Sequence, residues 1–586
     1  MKLRYIHKLK FFGEDSMKFL LISIIFLSNS WFTDTFNAQE YHIFKGFYHR
    51  LEVNIDKVHN SSFNLIEIIE QEDHFPNLNF AVLKDFFTSF IDRFKGDSRQ
   101  EQKEKYKANV LEYGADPDGV KDSTQAIQKA IYSLPEGGEL YFPAGTYLVS
   151  SIHIDKPLSI IGVHVGQDTS SKGGTIIKAL KSSSKPLIVI RNKKDNKFIN
   201  GFSISNLLLE GDGLDKSGIE FYQVGWDAQI ENLNIQNFKR QAIIMKDLMD
   251  VVWTGGRIKN SGTDGKYAAI ELNSASNVTN AIHVFGLHVE NCEFMLKANA
   301  GRQIQFVASK FELNNKYPKQ SPIQITSEVK EILFTGSQFH YADTSKWGEA
   351  ENQPHMIKIE NRWTNIKDCT FTSRTQIGAK FIHQTQGSGL LLEGNQFHWL
   401  SADDYSIVLN ENSAFTGNKM MIEVGNRKLY AVKMGSGNKI NDNILELNGI
   451  GTNNGQVFYS GGTNNEVKAN RLIGTASHNI VEFFALDYDN NVFESYNAYK
   501  PQVLKKGKSH PSTAGKYVFK ATDISTQVIM DFNHAHNGKT ITIMAENDGV
   551  MIQNNDNIKL KSGKDRKLKQ NEVLRLTRID SVWYEN

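Results

Sequence analysis

The chain has 586 residues, of which 40% are hydrophobic and 23% are charged, a composition typical of a folded globular protein and not of a disordered or membrane-embedded one. Lys and Arg total 67 against 65 Asp and Glu, and a net charge of +2 produces no field that would attract nucleic acid. The length exceeds one ordinary compact domain, although a single elongated repeat domain can occupy most of it.

Residues 1–38 have the pattern of a signal peptide. Met17 is a second candidate start, and an apolar run from Phe19 to Leu27 is too short for a membrane span but suits the hydrophobic part of a signal. Cleavage is expected after Ser30 or Ala38. We therefore expect a secreted, periplasmic or cell-surface protein with no membrane span in the mature chain. An uncleaved anchor is the alternative.

Residues 39–109 differ from the rest of the chain in the pattern of their apolar and charged residues. Apolar residues at helical spacing, such as Phe80, Leu83 and Phe87, precede a charged run over residues 97–107. This pattern predicts a small helical region followed by a solvated linker, to which no chemistry is assigned.

Residues 201–495 contain short strands separated by Asn, Gly and Ser. The residue before the last strand of each unit recurs at intervals of 21 to 32 residues, and the series is Ser337, Cys369, Asn395, Asn418, Asn443, Asn470 and Asn491. An irregular period of this size is typical of a solenoid whose units bury their apolar faces by stacking. Asn tolerates left-handed backbone and can form ladders at corners. The pattern predicts an all-β fold, a parallel β-helix.

The segment before these repeats predicts a helix that caps the solenoid. Asp122 or Ser123 is placed to cap a helix from Gln125 to Ser133, which turns Ile127 and other apolar residues toward the open end of the core. Conspicuous aspartates in this segment are interpreted as turn and cap residues rather than catalytic ones.

The chain after residue 514 stops repeating. Alternating strands over 514–586 predict a small C-terminal β-sandwich-like module that covers exposed coils. The two cysteines, Cys292 and Cys369, lack the spacing of a zinc site or of a disulfide framework, and we predict two buried free thiols.

One segment resembles a known family. The run from Val110 to Ile154 contains Tyr113-Gly114-Ala115, Asp118-Gly119, Asp122-Ser123-Thr124, Gly137-Gly138 and Tyr141-Phe142-Pro143-Ala144-Gly145-Thr146-Tyr147, in that order. It resembles the first coil of pectate-lyase superfamily proteins of the rhamnogalacturonase/epimerase-like type. The resemblance implies a right-handed parallel β-helix over 110–500 that acts on, or grips, polysaccharide. The closing Trp583-Tyr584-Glu585 is similar to modules of phage tailspike-like proteins, which leaves a homotrimer open.

Outward polar residues on strands of successive coils form the first candidate site. Period-two alternation turns Glu220, Lys246 and Glu271 outward. Two carboxylates two coils apart lie about 9.6 Å apart at the backbone, close to the window of about 6.5–9.5 Å for inverting glycoside hydrolysis. We predict that these three residues are catalytic and that Tyr222 and Asn273 hold sugar hydroxyls. A solvated ladder of charges is the alternative interpretation.

A lyase would use other groups. It needs a base near the uronate C5 proton and a cation that neutralises the carboxylate. Lys246 with Asp247, or His283 with Glu290, meets this requirement, and Arg240 is predicted to bind substrate. Because a lone strand histidine is more often structural, this cluster ranks second.

Four tryptophans and one acidic turn are the remaining candidates for ligand binding. An indole face stacks on a pyranose ring, which makes platforms of Trp226, Trp253, Trp363 and Trp399, with Trp399 predicted to bind substrate and buried packing as the alternative. The turn over 211–215 is able to hold Ca²⁺, although a polar turn needs no ion. We predict no cofactor, with Ca²⁺ left open.

These patterns together predict a secreted enzyme that degrades a complex or acidic polysaccharide, either a glycoside hydrolase or a polysaccharide lyase. Three alternatives stay open: a non-catalytic glycan-binding protein or adhesin, a phage tailspike-like solenoid, and a uronate C5-epimerase. The expected partner is polysaccharide, and no nucleic acid is expected.

Overall fold

The computed structural model describes most of the chain after residue 104. The described ranges are 105–164, 173–192, 197–262, 266–276, 278–314, 318–341, 354–373, 380–400, 405–423, 430–448, 456–473, 484–486, 492–495, 501–504, 507–513, 516–522 and 527–586. The predicted signal peptide and nearly all of the predicted 39–109 region lie outside them. No helix within these ranges is both long and apolar enough to cross a membrane.

Residues 107–495 form a right-handed parallel β-helix with three strand faces. Face 1 is a 13-stranded sheet, and faces 2 and 3 are joined in a 27-stranded sheet. Each turn of the solenoid, here called a coil, runs through face 1, face 2 and face 3 in that order. One such coil contains Ile270–Asn273, Asn280–Phe285 and His288–Glu290.

The strands of face 1 are Ile152–Ile154, Ile188–Ile190, Ile219–Tyr222, Ile243–Lys246, Ile270–Asn273, Leu296–Ala298, Ile323–Ile325, Ile357–Ile359, Ile382–Gln384, Ile407–Leu409, Tyr430–Met434, Gln456–Ser460 and Phe484–Leu486. The strands of face 2 are Lys107–Asn109, Gly138–Tyr141, Leu158–Ile161, Ile199–Asn200, Met249–Thr254, Asn280–Phe285, Arg302–Val307, Ile332–Thr335, Thr364–Lys367, Leu391–Glu393, Ala414–Thr416, Lys439–Asn441 and Val492–Ser495. The strands of face 3 are Asp118–Asp122, Gly145–Val149, Thr175–Ala179, Arg257–Lys259, His288–Glu290, Lys310–Leu313, Gln338–Tyr341, Thr370–Ser373, Gln396–Leu400, Lys419–Glu423 and Ile444–Asn448. Three long strands run through faces 2 and 3, namely Ser203–Glu210, Val224–Gln236 and Glu466–Ile473.

The first strand begins before the predicted boundary at residue 110. Lys107–Asn109, which the charged run assigns to a linker, pairs in parallel with Gly138–Tyr141. Ala108 supplies the reason, because its side chain is buried in the core between two outward neighbours. The charged residues before it therefore predict a solvated linker, although the chain at Lys107–Asn109 already forms a strand of the solenoid.

A helix, α1 (Thr124–Ser133), follows a short 3₁₀ turn at Val110–Tyr113 and packs on the first strands of the solenoid. Its residues Ile127, Ala130 and Ile131 are fully buried in the main core. Ser123 occupies the N-cap position, but the side chain of Asp122 accepts the hydrogen bond from the Thr124 backbone N–H at 2.8 Å.

The turn between faces 2 and 3 contains a continuous ladder. The backbone N–H of Asn395 donates to Asn418 Oδ1 at 2.9 Å, that of Asn418 donates to Asn443 Oδ1 at 2.8 Å, and that of Asn443 donates to Asn470 Oδ1 at 3.1 Å. All four asparagines are at most 1% exposed. The predicted alignment is confirmed from Ser337 to Asn470, whereas Asn491 lies outside the described residues.

The left-handed backbone at this corner is not on the asparagines. The residue before each one has a positive φ, for example 67° at Gly394, 65° at Gly417 and 61° at Asp442. The sharp turn therefore falls one residue earlier than the sequence analysis placed it. The asparagine side chain therefore points into the core, where its Oδ1 accepts a hydrogen bond from the backbone N–H of the preceding coil.

Aromatic rings continue the same stacking inside the solenoid. Phe311, Phe339, Phe371 and Phe397 stand on face 3 of successive coils, with consecutive ring centroids 5.3, 4.6 and 4.7 Å apart and the planes nearly parallel. Because each ring fills the space above its neighbour, the core is continuous along the solenoid axis.

Both cysteines are free and fully buried, as predicted. Burial raises the pKa of the Cys369 thiol to about 12, which leaves it protonated and unreactive at neutral pH. Cys369 is itself part of the corner ladder, since its backbone N–H donates to Asn395 Oδ1 at 2.9 Å.

The described residues of the C-terminal region, where a small β-sandwich-like module was predicted, form two small sheets. The larger contains Gln502–Val503, Val518–Ala521, Thr540–Ala545, Val573–Ile579, Val582–Glu585 and Ile558–Lys559, and the smaller contains Val528–Ile529, Met551–Ile552 and Arg566–Lys567. Parallel and antiparallel pairs are mixed, and the sheet begins at Gln502, before the predicted boundary at residue 514. Trp583 is fully buried in the core of this region.

Replacing one ladder asparagine should destabilise the solenoid. Asn418→Ala removes an amide that accepts from Asn395 and donates to the Leu392 carbonyl, and each buried group left unpaired costs about 1–3 kcal/mol. We expect the free energy of unfolding, measured by urea denaturation followed by circular dichroism, to fall by more than about 2 kcal/mol. The control is Asn365→Ala, an outward asparagine on face 2, which should change it by less than about 0.5 kcal/mol. Equal losses in the two variants would contradict the assigned role of the ladder.

Candidate functional site

Face 1 brings five of the predicted residues together. In strands Ile219–Tyr222, Ile243–Lys246 and Ile270–Asn273 the alternate apolar residues are buried, and the polar residues between them point outward. Strand register places Glu220, Ile244 and Glu271 in one outward row. Tyr222, Lys246 and Asn273 form the adjacent row.

The two carboxylates therefore lie two coils apart in one row. The residue between them is Ile244, and Lys246, although outward on the same strand, lies in the next row. The cause is the pleat, because residues two apart share a face but occupy different rows.

Glu271 is held by three amide groups. Its Oε2 accepts from Gln241 Nε2 at 2.5 Å, and its Oε1 accepts from Asn273 Nδ2 at 3.2 Å and from Asn299 Nδ2 at 3.3 Å. Gln241 is oriented in turn by the Ser217 hydroxyl, which donates to its Oε1 at 3.0 Å. These contacts fix the direction of the carboxylate while leaving the side chain partly exposed.

Tyr222 lies between two cations. The guanidinium carbon of Arg191 is 4.2 Å from the ring centroid, and Lys246 Nζ is 5.2 Å from it. Arg191 follows directly after strand Ile188–Ile190, which pairs with Ile219–Tyr222 and so places Arg191 next to Tyr222 in the row. The outward row thus carries positive charge on both sides of a partly exposed phenol.

Arg191, Gln241 and Asn299 were not predicted from the sequence to belong to this site. Arg191 was detectable, because it follows an apolar Ile-Val-Ile strand in the same way that Tyr222 follows its own strand. Gln241 and Asn299 belong to turns on either side of face 1 strands, and only the register reveals that they reach Glu271.

Asp247 has the contacts of an anchor. It is fully buried and has a left-handed backbone, with φ of 53°. Its Oδ1 accepts from the Ser274 hydroxyl and from the backbone N–H groups of Ala275 and Ser276, and its Oδ2 accepts from the Ser276 hydroxyl. Because these bonds occupy both oxygens, Asp247 holds the turn over 274–276 and does not face a substrate.

The structure separates His283 from Glu290. His283 lies on face 2, where it pairs in register with Val252 and Gln305, whereas Glu290 lies on face 3. The two faces meet at the sharp turn that contains Gly286, so the two side chains leave the solenoid in different directions. The structure therefore does not form the predicted acid–base pair.

Glu290 instead belongs to a charge network on face 3. It forms an ion pair with Arg257, and on the next coil Glu312 contacts His288 Nε2 at 3.1 Å and Lys310 Nζ at 2.5 Å. Burial, reinforced by the nearby Arg257, lowers the pKa of His288, which keeps its ring neutral at pH 7. Burial alone would raise the pKa of Glu312, but hydrogen bonds, led by that from Lys310, outweigh it and lower the pKa.

Arg240 lies in the turn between faces 3 and 1. Its Nε donates to Asp215 Oδ1 at 2.9 Å and its Nη2 donates to Asp215 Oδ2 at 3.1 Å. The hydrogen bond from Arg240 lowers the pKa of Asp215, and Asp212 in the same turn contacts Lys178 Nζ at 3.2 Å. Both aspartates of the turn over 211–215 are thus paired with cations, an arrangement that competes with Ca²⁺ binding.

The four candidate tryptophans have different environments. Trp253 is fully buried in the core, which removes it as a sugar platform. Trp226 is 47% exposed and Trp363 is 60% exposed. Trp399 belongs to strand Gln396–Leu400, but its side chain lies outside the described part of the structure.

The two classes of ion pair should differ in their effect on stability. Glu290→Gln removes the ion pair between Glu290 and the largely buried Arg257, and breaking such a pair costs about 3–5 kcal/mol. Glu393→Gln is the control, because it removes the exposed pair with Lys367 and should cost less than about 1 kcal/mol. Urea denaturation of both variants measures the difference, and a similar small loss in each would show that the face 3 network contributes little to stability.

Comparison with known proteins supports this architecture. The family model described as rhamnogalacturonase A/epimerase, pectate lyase-like matches residues 107–317, which include the face 1 residues Glu220 to Asn273. The match begins at the first strand of the solenoid.

Three curated relatives are similar over shorter stretches. The SPbeta prophage-derived protein YomE of Bacillus subtilis (strain 168) is 29% identical over 174 residues, which cover 29% of this chain and 24% of YomE. Mannuronan C5-epimerase AlgE2 of Azotobacter vinelandii is 32% identical over 120 residues, covering 19% and 11% of the two chains. The tail spike protein of Shigella phage Sf6 is 38% identical over 92 residues, covering 14% and 15%. The matched stretches span about a quarter or less of each relative.

Proposed function

Because this chain carries a pectate-lyase-like right-handed β-helix, we propose that it is an exported enzyme that degrades polysaccharide. The reaction that its geometry favours is glycoside hydrolysis. The observation that carries the proposal is the outward row on face 1, in which Glu220 and Glu271 lie on either side of Ile244. Export rests on the signal-peptide pattern of residues 1–38.

The spacing of the carboxylates supports an inverting reaction. Two coils correspond to about 9.6 Å between backbones, and inverting enzymes place their carboxyl groups about 6.5–9.5 Å apart to admit a water molecule. Glu271, whose oxygens are oriented by three amides, is suited to activate that water, and Glu220 is then the general acid.

The neighbouring row supports binding of a sugar. Asn273 donates to Glu271 and lies close to Asn299, so amide groups surround the carboxylate. Lys246 and Arg191 beside Tyr222 offer positive charge to an acidic group of the substrate. The site is therefore suited to a complex glycan that carries carboxylates as well as hydroxyls.

A binding protein without catalysis is the second candidate. It is favoured by the similarity to a phage tail spike protein and by the fact that outward Glu and Lys residues on a solenoid also form ordinary charge ladders. Incubation with alginate, polygalacturonate, rhamnogalacturonan and neutral glucans separates the functions. New reducing ends without ultraviolet absorbance indicate hydrolysis, absorbance from an unsaturated uronate indicates a lyase, and retention without either product indicates a binding protein.

Removing either carboxylate should abolish most of the activity. We expect Glu220→Gln and Glu271→Gln, measured separately, to reduce kcat by about 10² to 10⁴, because each removes a proton-transfer group. Glu360→Gln is the matched control, since Glu360 follows strand Ile357–Ile359 of face 1 and is paired with Lys358 at 2.7 Å, three coils beyond Glu271. Thermal melting must show that all three variants are folded. If both site variants keep more than about a third of wild-type activity, the row is a solvated surface.

A further inference from the structure

Two exposed tryptophans lie far apart in the sequence, but both stand near the start of face 2. Trp363 directly precedes the face 2 strand Thr364–Lys367, and Trp226 lies two residues before Ala228, which occupies the same register position as Thr364. Five coil steps separate them, or about 24 Å along the axis. Trp226 is 47% exposed, with its ring centroid 5.4 Å from that of Phe198, and Trp363 is 60% exposed.

The backbone at Trp226 is bent in a way that presents its side chain. Gly225 and Ala228 pair with Met249 and Val251 of the next strand. Two residues, Trp226 and Asp227, therefore lie opposite the single residue Asp250 and form a bulge. Trp226 has a φ of 41° and Asp227 a φ of 72°, and a left-handed backbone recurs on the next three coils at Asp250, Ala281 and Gln303. The extra residue of the bulge is therefore what distinguishes this coil, and a bulge re-aims a side chain.

The positions between the two tryptophans form an outward column. From Trp226 to Trp363, successive coils place Asp250, Ala281, Gln303 and Glu331 there. Asp250, Gln303 and Glu331 are exposed and carry oxygen acceptors for hydroxyl groups. Because strands repeat about every 4.8 Å, each coil advances by close to the length of one pyranose residue.

We infer that this column is an extended binding track for a polysaccharide chain lying parallel to the solenoid axis, with Trp226 and Trp363 as stacking platforms at its two ends. The track rests on the proposed polysaccharide function and extends it, because it specifies a long chain rather than a short oligosaccharide as the ligand. Trp226 follows Tyr222 by four residues across the turn between faces 1 and 2, so the track runs along the edge of the candidate active site.

The test is retention in native gels cast with alginate, polygalacturonate or a soluble neutral glucan. The variants are Trp226→Asn, chosen because asparagine tolerates a positive φ, Trp363→Ala, and the double variant. Tyr132→Ala is the control, since this residue is 63% exposed on α1 and lies outside the column. Thermal melting should be unchanged in all of them, because the replaced side chains are exposed.

We expect each single variant to bind the retaining polysaccharide roughly three- to ten-fold more weakly, as the loss of one aromatic contact predicts, and the double variant to lose more than either. Fragments of that polysaccharide long enough to span both indoles should compete better than short ones with the wild-type protein, and this advantage should disappear in either single variant. Wild-type retention that is unchanged in both variants, or lost in only one of them, overturns the track while leaving the proposed function intact. Failure of all three polysaccharides to retain the wild-type protein overturns both.

Discussion

The corner between faces 2 and 3 is the constraint on which the rest of the solenoid depends. In most of the described coils one residue at this corner takes a left-handed backbone, and the next residue turns its side chain inward. In the later coils this inward side chain closes a hydrogen bond with the backbone of the coil before it, as Asn418 does for Asn395. The bend and the bond together fix the register, and register decides which side chains share an outward row.

The candidate site lies on the outward side of the same strands. Because inward positions are occupied by residues such as Ile219 and Ile243, the residues between them are free to vary without loss of packing. A row on face 1 accordingly holds two carboxylates with an isoleucine between them, and face 3 holds a charge network centred on Glu290 and Glu312. The first is open to a ligand, whereas the second is largely satisfied by its own cations.

The sequence was sufficient for much of this arrangement. Strand alternation predicted that Glu220 and Glu271 point outward on one face, because a period of two requires no knowledge of neighbouring coils. The row itself was predicted less well. Ile244 stands between the carboxylates because residues that are equivalent in register, rather than merely outward, become neighbours. Asp247 and Glu290 looked like catalytic groups in sequence because the sequence does not show which groups of other segments will pair with a polar side chain.

The direction of the corner ladder has a consequence for how the solenoid is completed. In each pair the backbone N–H belongs to the earlier coil and the accepting side chain to the later one, from Ser309 with Ser337 through Asn443 with Asn470. A coil is thus left with an unsatisfied buried donor until its successor arrives. A chain that emerges from the ribosome N-terminus first always has its newest corner unfinished, and the last coil to dock stabilises the whole array behind it.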